Sequence, residues 1–388
     1  MSHSEDSCDF NVLALDAFHG GSHRQFLDGV VQKSRHQWSV IAGKPVHWKW
    51  RMRSAPLDLA LRSRDFLGTV GYPDLLFCTD MLDLPLFRGL LRDPRILTTP
   101  TVIYFHENQW TYPVSPSAKV DTHYGYTNLL SAIAADQVWF NSQYHLQDFL
   151  SASHEFLKRM PDTCRAHDFE TLEQKSHVVH PGFSAPQSAL FSELIKSQNR
   201  NKCLTLGWVS RWEHDKCPDQ FASLLNLLTE IGVDFELILL GSRPRAANKE
   251  LERIRNAHGA RILHDGFADD RDHYWTLLGN MDIVISTAAH EFFGIAICEA
   301  IWAGAVPVVP NRLSYQELVP AACRYDSLAD AAGLIQHFSN DASRAIQTVQ
   351  CRKQIEPLQS HHIIKQIDSM VADLATGNPD NQRAGGER

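Results

Sequence analysis

Several features that mark other protein classes are missing from this sequence of 388 residues. No apolar run approaches the roughly 20 residues that a membrane-spanning helix needs. None of the eight cysteines belongs to a C-x-x-C pair, which argues against zinc ribbons and disulfide frameworks. The net charge of −8 gives no general attraction to nucleic acid, so a polyanionic partner would have to meet a local basic patch. The polar, acidic start MSHSEDSCDF lacks the apolar stretch of a secretory signal and predicts a cytoplasmic protein without a membrane partner.

The composition, 44% hydrophobic and 21% charged, is that of an ordinary globular protein, and the length favours two domains. Short apolar runs of strand length alternate with helical patterns in both halves, which predicts α/β units with parallel sheets. Polar, irregular sequence around 151–200 separates the halves. The predicted segments are an N-terminal Rossmann-like domain 1–190, a C-terminal Rossmann-like domain 191–355, a helix 356–375 expected to return to the first domain, and a disordered tail 376–388.

Two glutamates, Glu291 and Glu299, lie in the otherwise apolar stretch ISTAAHEFFGIAICEA. On one continuous helix their spacing corresponds to about 800°, so the carboxylates would not share a face. A strand ending near Ser286, a loop, and a helix beginning around 292–294 fit the pattern better. Glu291 then lies at the helix start, where unpaired N–H groups favour a phosphate, and Glu299 lies on the second turn. The alternative is a helix cap at Glu291 and a solvated Glu299.

Two cations, Arg211 and Lys216, follow a predicted strand in GWVSRWEHDKCPDQF. An arginine fork and a compact lysine charge at such a loop are suited to neutralising a diphosphate leaving group. Considered alone, they are equally consistent with two solvated cations beside the acidic residues of the same turn.

The combination of R-x4-K and E-x7-E resembles the retaining nucleotide-sugar glycosyltransferases of the GT-B fold, in which two Rossmann-like domains face a cleft. The resemblance implies that Arg211 and Lys216 bind the donor diphosphate. It also implies that Glu291 contacts the donor sugar and that Glu299 holds the ribose. Open α/β sheets bind ligands at the carboxyl ends of their strands, which is consistent with such a cleft.

Two helix starts supply further candidate donor contacts. By the same resemblance, Phe293 and Gly294 offer backbone N–H groups to the phosphates. Gly20 and Gly21 lie in the first strand-to-helix turn but do not form G-x-G-x-x-G. They are either a simple turn or a place where the donor or acceptor approaches the backbone.

Motifs of the N-terminal half narrow the resemblance to one family. The strings AFHGGSHRQF, HWKWRMRSA, YFHENQWTYPV, YGYTNLLSAIAADQVWFNSQY, RWEHDK and STAAHEFFG together are similar to the tRNA-queuosine mannosyltransferases. The resemblance covers most of residues 10–320. It implies an N-terminal domain that binds the acceptor and a C-terminal domain that binds the nucleotide sugar.

A histidine at the end of the apolar run VIYFH is the candidate for contact with the reacting sugar. The resemblance implies that His106 lies near the anomeric carbon. The polar residues that follow it, Glu107, Asn108 and Gln109, are unusual for a core and are assigned to acceptor binding together with His19. Taken alone, a single histidine is more often structural.

The stretch HWKWRMRS interleaves aromatic and basic residues. Its alternation is consistent with an edge strand whose aromatic side chains point inward. The functional interpretation is an acceptor-binding surface that stacks on unpaired bases and meets RNA phosphates. Its residues are Trp48, Trp50, Arg51 and Arg53.

A D-x-D sequence, Asp270-Arg271-Asp272, is a metal-binding motif in other transferases. Here it has the character of an ordinary helix start with acidic residues in the first turn. No metal and no cofactor is therefore expected.

The function that the resemblance implies is transfer of mannose, with retention, from GDP-mannose to the cyclopentenediol of queuosine in tRNA, with tRNA-Asp as the expected acceptor. The alternatives are a transferase with another donor or with a polysaccharide or lipid acceptor, a sugar-nucleotide epimerase or hydrolase, and an RNA-binding module without activity. The sequence leaves the oligomeric state open.

Overall fold

The computed structural model describes residues 9–113, 121–161, 166–186, 203–241 and 248–377. The chain divides into two units, one formed by residues 1–181 with 360–388 and the other by residues 182–359. The boundary therefore lies earlier than the one drawn at 190 from the sequence, and the chain re-enters the first unit at Ser360. Of the tail expected over 376–388, residues 378–388 lie outside the described residues.

The first unit is built on a six-stranded parallel sheet with the order β2-β1-β3-β4-β5-β6. Its strands are β1 (Asn11–Asp16), β2 (Gln37–Ala42), β3 (Leu75–Thr79), β4 (Thr101–Phe105), β5 (Gln137–Phe140) and β6 (Ser176–Val178). Its helices are α1 (Gly21–Lys33), α2 (Trp48–Thr69), α3 (Leu84–Leu91), α4 (Pro94–Thr98), α5 (Thr122–Ala134), α6 (Gln143–Leu157), α7 (Ala166–Gln174) and the C-terminal α15 (Ser360–Thr376).

Alternate residues of these strands form two hydrophobic clusters, one on each face of the sheet. Leu13 and Leu15 of β1 belong to one cluster, together with residues of α2, α3, α5 and α6. Val12 and Ala14 belong to the other, with residues of α1 and α15. This division follows from the two-residue period of a strand. Because parallel sheets bury both faces, the strands are nearly continuous apolar runs.

The C-terminal helix α15 completes the cover of the second face. Ile363, Ile367 and Val371 are buried in the same cluster as the strand residues Val12 and Ala14. The hydroxyl of Ser34 at the end of α1 donates to the Asp368 carboxylate at 2.5 Å, which fastens α15 to α1. Without α15, part of this apolar face would be open to water.

The second unit repeats the architecture, with a six-stranded parallel sheet of order β12-β11-β10-β7-β8-β9. Its strands are β7 (Leu204–Val209), β8 (Phe235–Leu240), β9 (Ile262–Gly266), β10 (Ile283–Ile285), β11 (Val306–Pro310) and β12 (Arg324–Tyr325). Its helices are α8 (Pro218–Glu230), α9 (Lys249–His258), α10 (Arg271–Gly279), α11 (Ile295–Ala303), α12 (Tyr315–Leu318), α13 (Leu328–Phe338) and α14 (Asp341–Ile355).

The α/β fold class predicted from the sequence is confirmed by these two parallel sheets. In each sheet the carboxyl ends of neighbouring strands meet at one edge, which brings together residues that are distant in sequence. In the first unit β1 lies beside β3, and β3 beside β4. In the second unit β10 lies beside β7. No helix within the described ranges is both long and apolar enough to cross a bilayer.

Candidate active site

Lys216 connects two loops at the carboxyl edge of the second sheet. It ends a single 3-10 turn, His214–Lys216, in the loop that follows β7. Its ammonium lies 3.0 Å from Oε2 of Glu291 and 3.2 Å from Oδ2 of Asp215, and it donates to the carbonyl of His290 at 2.9 Å. Burial lowers the pKa of Lys216, but the two carboxylates outweigh this effect and raise the pKa above its ordinary value. The lysine is therefore a largely buried cation, 11% exposed, held between the loops that follow β7 and β10.

Glu291 lies in the loop before α11 and is not the cap of that helix. Gly294 occupies the cap position with a φ of 97°, a left-handed conformation that suits glycine. A side chain at this position would also press on the ring of Tyr315. The helix begins at Ile295, after the range predicted from the sequence, with Phe293 buried just before it. The assignment of this helix start to phosphate binding stays a prediction.

Glu299 is buried, which excludes the interpretation of this residue as part of a solvated face. Only 3% of the residue is exposed. Arg271 donates to Oε1 at 2.8 Å, and the hydroxyl of Tyr274 donates to Oε2 at 2.6 Å. Each carboxylate oxygen thus has one donor from the neighbouring helix α10.

The D-x-D sequence forms the start of α10, as its acidic residues predict. Asp270 is the N-cap, and its carboxylate accepts from the backbone N–H of His273. Arg271 between the two aspartates pairs with Glu299 instead of leaving the acidic residues free to converge. No cluster of metal-ligating residues occurs within the described part of the chain.

Arg211 is the more exposed of the two predicted diphosphate cations. It follows β7, and its guanidinium forms an ion pair with Glu213 at 3.4 Å, with about half of each side chain exposed. The structure thus brings Lys216 and Glu291 into direct contact, whereas Arg211 is held by its own loop and Glu299 by α10.

In the first unit, a buried cluster of ionisable residues occupies the carboxyl edge of the sheet. Asp16, the last residue of β1, accepts from Nδ1 of His19 at 2.8 Å and from the hydroxyl of Thr79 at 3.0 Å. Nδ1 of His23 lies 3.9 Å from the same carboxylate. Burial would raise the pKa of Asp16, but His23 and His19 hold it well below its ordinary value. Asp16 is therefore ionised.

His106 lies in this cluster, stacked on His23 with 4.0 Å between the ring centroids. Burial lowers the pKa of His23, but Asp16, Asp80 and Glu107 outweigh it and raise the pKa to about 9. Burial and the charge of His23 hold the pKa of His106 well below its ordinary value. The two stacked rings therefore differ in charge, with a cationic His23 against a neutral His106.

Asp80, which follows β3, is the third acidic residue at this edge of the sheet, after Asp16 and Glu107. Burial raises its pKa to about 7, although the charge of His23 opposes the rise. Its Oδ1 has no hydrogen-bond partner among the described residues, and neither has Nε2 of His106. Buried polar atoms without a partner are rare, so this edge offers both an acceptor and an imidazole nitrogen to a small polar group.

The residues Glu107, Asn108 and Gln109 of the HENQ string differ in burial and in hydrogen bonding. Asn108 is fully buried, with its amide donating to Asp148 and its oxygen accepting from two N–H groups of the following turn. These bonds give Asn108 a structural role. Glu107 and Gln109 are joined by a hydrogen bond of 3.0 Å and are only partly buried. Acceptor binding by the three residues stays a prediction.

The HWKWRMRS stretch forms the start of α2, so the edge-strand interpretation is wrong. Trp48 packs against Tyr124, with 5.2 Å between ring centroids, whereas Trp50 is 61% exposed. Arg53 donates to the hydroxyl of Tyr124 at 3.0 Å and is half exposed, and Arg51 is partly buried. The helical period separates the two tryptophans, since residues two apart do not share a face.

Gly20 and Gly21 have structural reasons for being glycine. Gly21 begins α1 with a φ of 56°, and a Cβ at Gly20 would overlap the ring of Pro45. Only Gly20 is closely packed, since a Cβ at Gly21 would meet nothing within 4 Å. The proposed contact of the two glycines with a ligand stays a prediction.

Several residues that complete these clusters are not among the site residues predicted from the sequence. They are Asp16, His23, Asp80, Asp215, Arg271 and Tyr274. Asp16 and Asp80 carry a usable signal, because each is a lone acid that ends or directly follows an apolar strand, in LALD and FCTD. The other four residues have no such signal, because their place in the clusters depends on which helices and loops become neighbours in the fold.

Two models of known protein families match this chain, and together they cover parts of both units. Residues 11–183 match the family model described as tRNA-queuosine alpha-mannosyltransferase N-terminal. Residues 158–314 match the model described as Family 4 Glycosyltransferase in conflict systems. The tRNA-queuosine alpha-mannosyltransferase of Drosophila melanogaster is 35% identical over 323 residues, which are 82% of this chain and 84% of that protein.

Solved structures give the same fold. The sucrose-phosphate synthase of Thermosynechococcus elongatus superposes with a TM-score of 0.67 at 14% identity, covering 95% of this chain and 100% of that one. A glycosyltransferase from Rickettsia africae gives a TM-score of 0.66 at 13% identity, covering 95% and 99%. The fold is that of the GT-B glycosyltransferases. Together with the extent of the match to the Drosophila protein, this shows that the chain belongs to the tRNA-queuosine alpha-mannosyltransferase family.

Proposed function

We propose that this protein transfers mannose from GDP-mannose, with retention, to a hydroxyl of the queuosine cyclopentenediol in tRNA, with tRNA-Asp as the acceptor. The observation that carries the proposal is the pair formed by Lys216 and Glu291 in the loops that follow β7 and β10. A cation suited to a diphosphate and a carboxylate suited to sugar hydroxyls lie 3.0 Å apart, in a chain that belongs to this family.

In the proposed reaction the bond from the anomeric carbon to the diphosphate oxygen breaks, and the acceptor oxygen bonds to that carbon on the same face. The acceptor hydroxyl gives its proton to the departing diphosphate. Arg211, Lys216 and the start of α11 stabilise the negative charge that develops on the leaving group. Glu291 accepts hydrogen bonds from the mannose hydroxyls, and neutral His106 contacts the sugar near the anomeric carbon.

The donor diphosphate must compete for Lys216 with partners that are already present. The ammonium has three protons, and Asp215, Glu291 and the His290 carbonyl take up these donors. A phosphate that takes the place of Glu291 would release that carboxylate toward the sugar. Phosphate and sugar recognition would then be linked through one exchange of partners.

We propose that the first turns of α2 meet the RNA. Trp50 offers an exposed ring for stacking on a base, and Lys49 and Arg53 offer charge for phosphates. Trp50→Ala should raise KM for tRNA by about fivefold or more with little change in thermal stability, because one base stack is worth about 1–3 kcal/mol. Leu57, 55% exposed two turns later on the same face, provides the matched control Leu57→Ala. If Trp50→Ala and Leu57→Ala show the same KM for tRNA, Trp50 does not contact the RNA.

The full-length protein should be incubated with GDP-mannose, GDP-glucose, UDP-glucose or UDP-galactose. Each donor is paired with tRNA-Asp carrying queuosine or with the same tRNA lacking it. We expect one hexose on queuosine with GDP-mannose only, detected by mass analysis of the digested nucleosides, and an α-anomeric product by NMR.

Other outcomes of this experiment identify other functions. Donor consumption without any tRNA indicates a hydrolase or epimerase, and transfer to the tRNA that lacks queuosine refutes the acceptor. Donor-independent tRNA binding without transfer indicates an RNA-binding module. The proposed reaction takes place in the cytoplasm and needs no metal ion. Because it needs no metal ion, its rate should not change when EDTA is added.

A further inference from the structure

Glu299 is held at both carboxylate oxygens by two residues of α10. Arg271 donates to Oε1 at 2.8 Å, and Tyr274 donates to Oε2 at 2.6 Å. The Glu299 side chain is only 4% exposed, and a carboxylate this deep is stable only when its oxygens are satisfied. Its plane is therefore fixed by two donors from a different helix.

Arg271 is itself held in place. The nitrogen that reaches Glu299 also donates to the carbonyl of Ser184 at 3.2 Å. The guanidinium carbon lies 5.3 Å from the centroid of the Tyr274 ring and 5.5 Å from that of Trp275. Because Asp270 caps α10, Arg271 is the first residue of the helix, which sets the direction of its side chain.

Tyr274 is a donor and not an acceptor in this arrangement. Burial and the neighbouring Glu299 raise its pKa well above the ordinary value, so the hydroxyl keeps its proton. A carboxylate has about four lone-pair sites, and the two donors occupy one site on each oxygen. Among the described residues no other donor reaches Glu299, so one site on each oxygen is left, which matches the paired hydroxyls of a ribose.

We propose that Arg271 and Tyr274 are positioning residues that orient Glu299 to receive the two hydroxyls of the donor ribose. This inference rests on the proposed function, in which Glu299 holds the ribose. The two α10 residues need not touch the nucleotide. They fix a carboxylate before the ligand arrives, which reduces the ordering cost of binding.

The test compares GDP with 2′,3′-dideoxy-GDP, which lacks both ribose hydroxyls, by titration calorimetry on the full-length protein. Hydrogen bonds to a charged group lead us to expect that the wild-type protein prefers GDP by about tenfold or more. Tyr274→Phe and Arg271→Gln should each reduce this preference by at least about threefold, mainly through weaker GDP binding. In turnover, both should raise KM for GDP-mannose more than they lower kcat.

Two matched controls separate positioning from general stability. Tyr72→Phe also removes a tyrosine hydrogen bond to a carboxylate, since Tyr72 donates to Asp93 at 2.9 Å. Arg261→Gln also removes an arginine that contacts a carboxylate, a carbonyl and an aromatic ring. We expect both control variants to keep the wild-type preference for GDP.

The possible failures are distinguishable. If wild-type protein binds GDP no more tightly than its dideoxy analogue, the ribose role of Glu299 fails, and the inference fails with it. If wild-type protein shows the preference and both α10 variants retain it, the inference alone is refuted. An equal loss of affinity for both ligands in the α10 variants, as expected for a structural or phosphate-binding role, also overturns it.

Discussion

Replacing Lys216 by methionine should separate the structural and catalytic roles of the buried ammonium. Lys216→Met keeps most of the aliphatic stem and removes the charge that lies between Asp215 and Glu291. The lysine side chain is 11% exposed, Asp215 is 9% exposed, and Glu291 is 25% exposed. The variant thus leaves one well-buried carboxylate and one partly hydrated carboxylate without their cation.

The size of the effect follows from this burial. Removing one partner of a buried ion pair costs about 3–5 kcal/mol, chiefly because the remaining charge is uncompensated. Since Glu291 retains some contact with water, we expect the lower end, about 3 kcal/mol in the free energy of unfolding. If Lys216 also neutralises the leaving diphosphate, kcat should fall by about 100-fold to 1000-fold.

The double variant Lys216→Met with Glu291→Gln isolates the two effects. It removes one of the unpaired charges, so urea titration should show that about 1 kcal/mol or more of the lost stability returns. If Lys216 and Glu291 have the proposed roles, turnover should not return, because the double variant lacks both groups. A Lys216→Met protein as stable as wild type would refute the electrostatic argument. A double variant with restored kcat would refute the catalytic role.

Three further variants test other parts of the site. Arg211→Ala, at an exposed ion pair, should change the free energy of unfolding by less than about 0.5 kcal/mol while lowering kcat at least about 100-fold, as measured by urea titration and single-turnover kinetics. The raised pKa of His23, about 9, stabilises the fold below pH ~6.5, and this stability of about 3 kcal/mol is lost as pH rises through 9. His23→Gln should therefore flatten the dependence of unfolding free energy on pH between about 6.5 and 9, and an unchanged slope would contradict the charge assigned to this ring. Gly294→Ala, at a φ of 97°, should lower stability by about 1–3 kcal/mol in thermal unfolding. Gly259→Ala, at a φ of −53° in open space, should change stability little, and equal losses would contradict a role for strain.

The strands were predictable because parallel sheets bury both of their faces. Apolar runs such as FELILL and TVIYF have few other interpretations at that length, and they form β8 and β4. The shorter or more polar strands β2, β6, β9 and β12 lack this signal. Strand β9, for example, has the sequence ILHDG and is only partly buried. These strands lie at or near the sheet edges, where burial constrains the sequence less.

The start of α2 shows how a local alternation can mislead. Trp48, Lys49, Trp50 and Arg51 alternate with the period of a strand, over a window too short to distinguish it from a helix. A longer window contains the decisive pattern. Trp48, Met52, Ala55 and Leu59, at spacings of four, three and four, are the positions that turn inward. The same residues that suggested a strand therefore place one tryptophan, partly buried, against the core and the other in solvent.

The partners of the two glutamates depend on tertiary structure. Lys216 reaches Glu291 because β10 lies beside β7, although β8 and β9 intervene along the chain. Glu299 meets Arg271 and Tyr274 because α10 packs against α11. The sequence indicated correctly that the two carboxylates do not share a helix face, because Glu291 lies in the loop before α11 and Glu299 lies on the helix. It could not supply the cations, because strand order and helix packing decide which distant side chain fills each position. The two glutamates therefore belong to two separate charge pairs, each built by a different neighbouring element. Under the proposed function, in which one contacts the sugar and the other the ribose, their substitution should affect the two recognition steps independently.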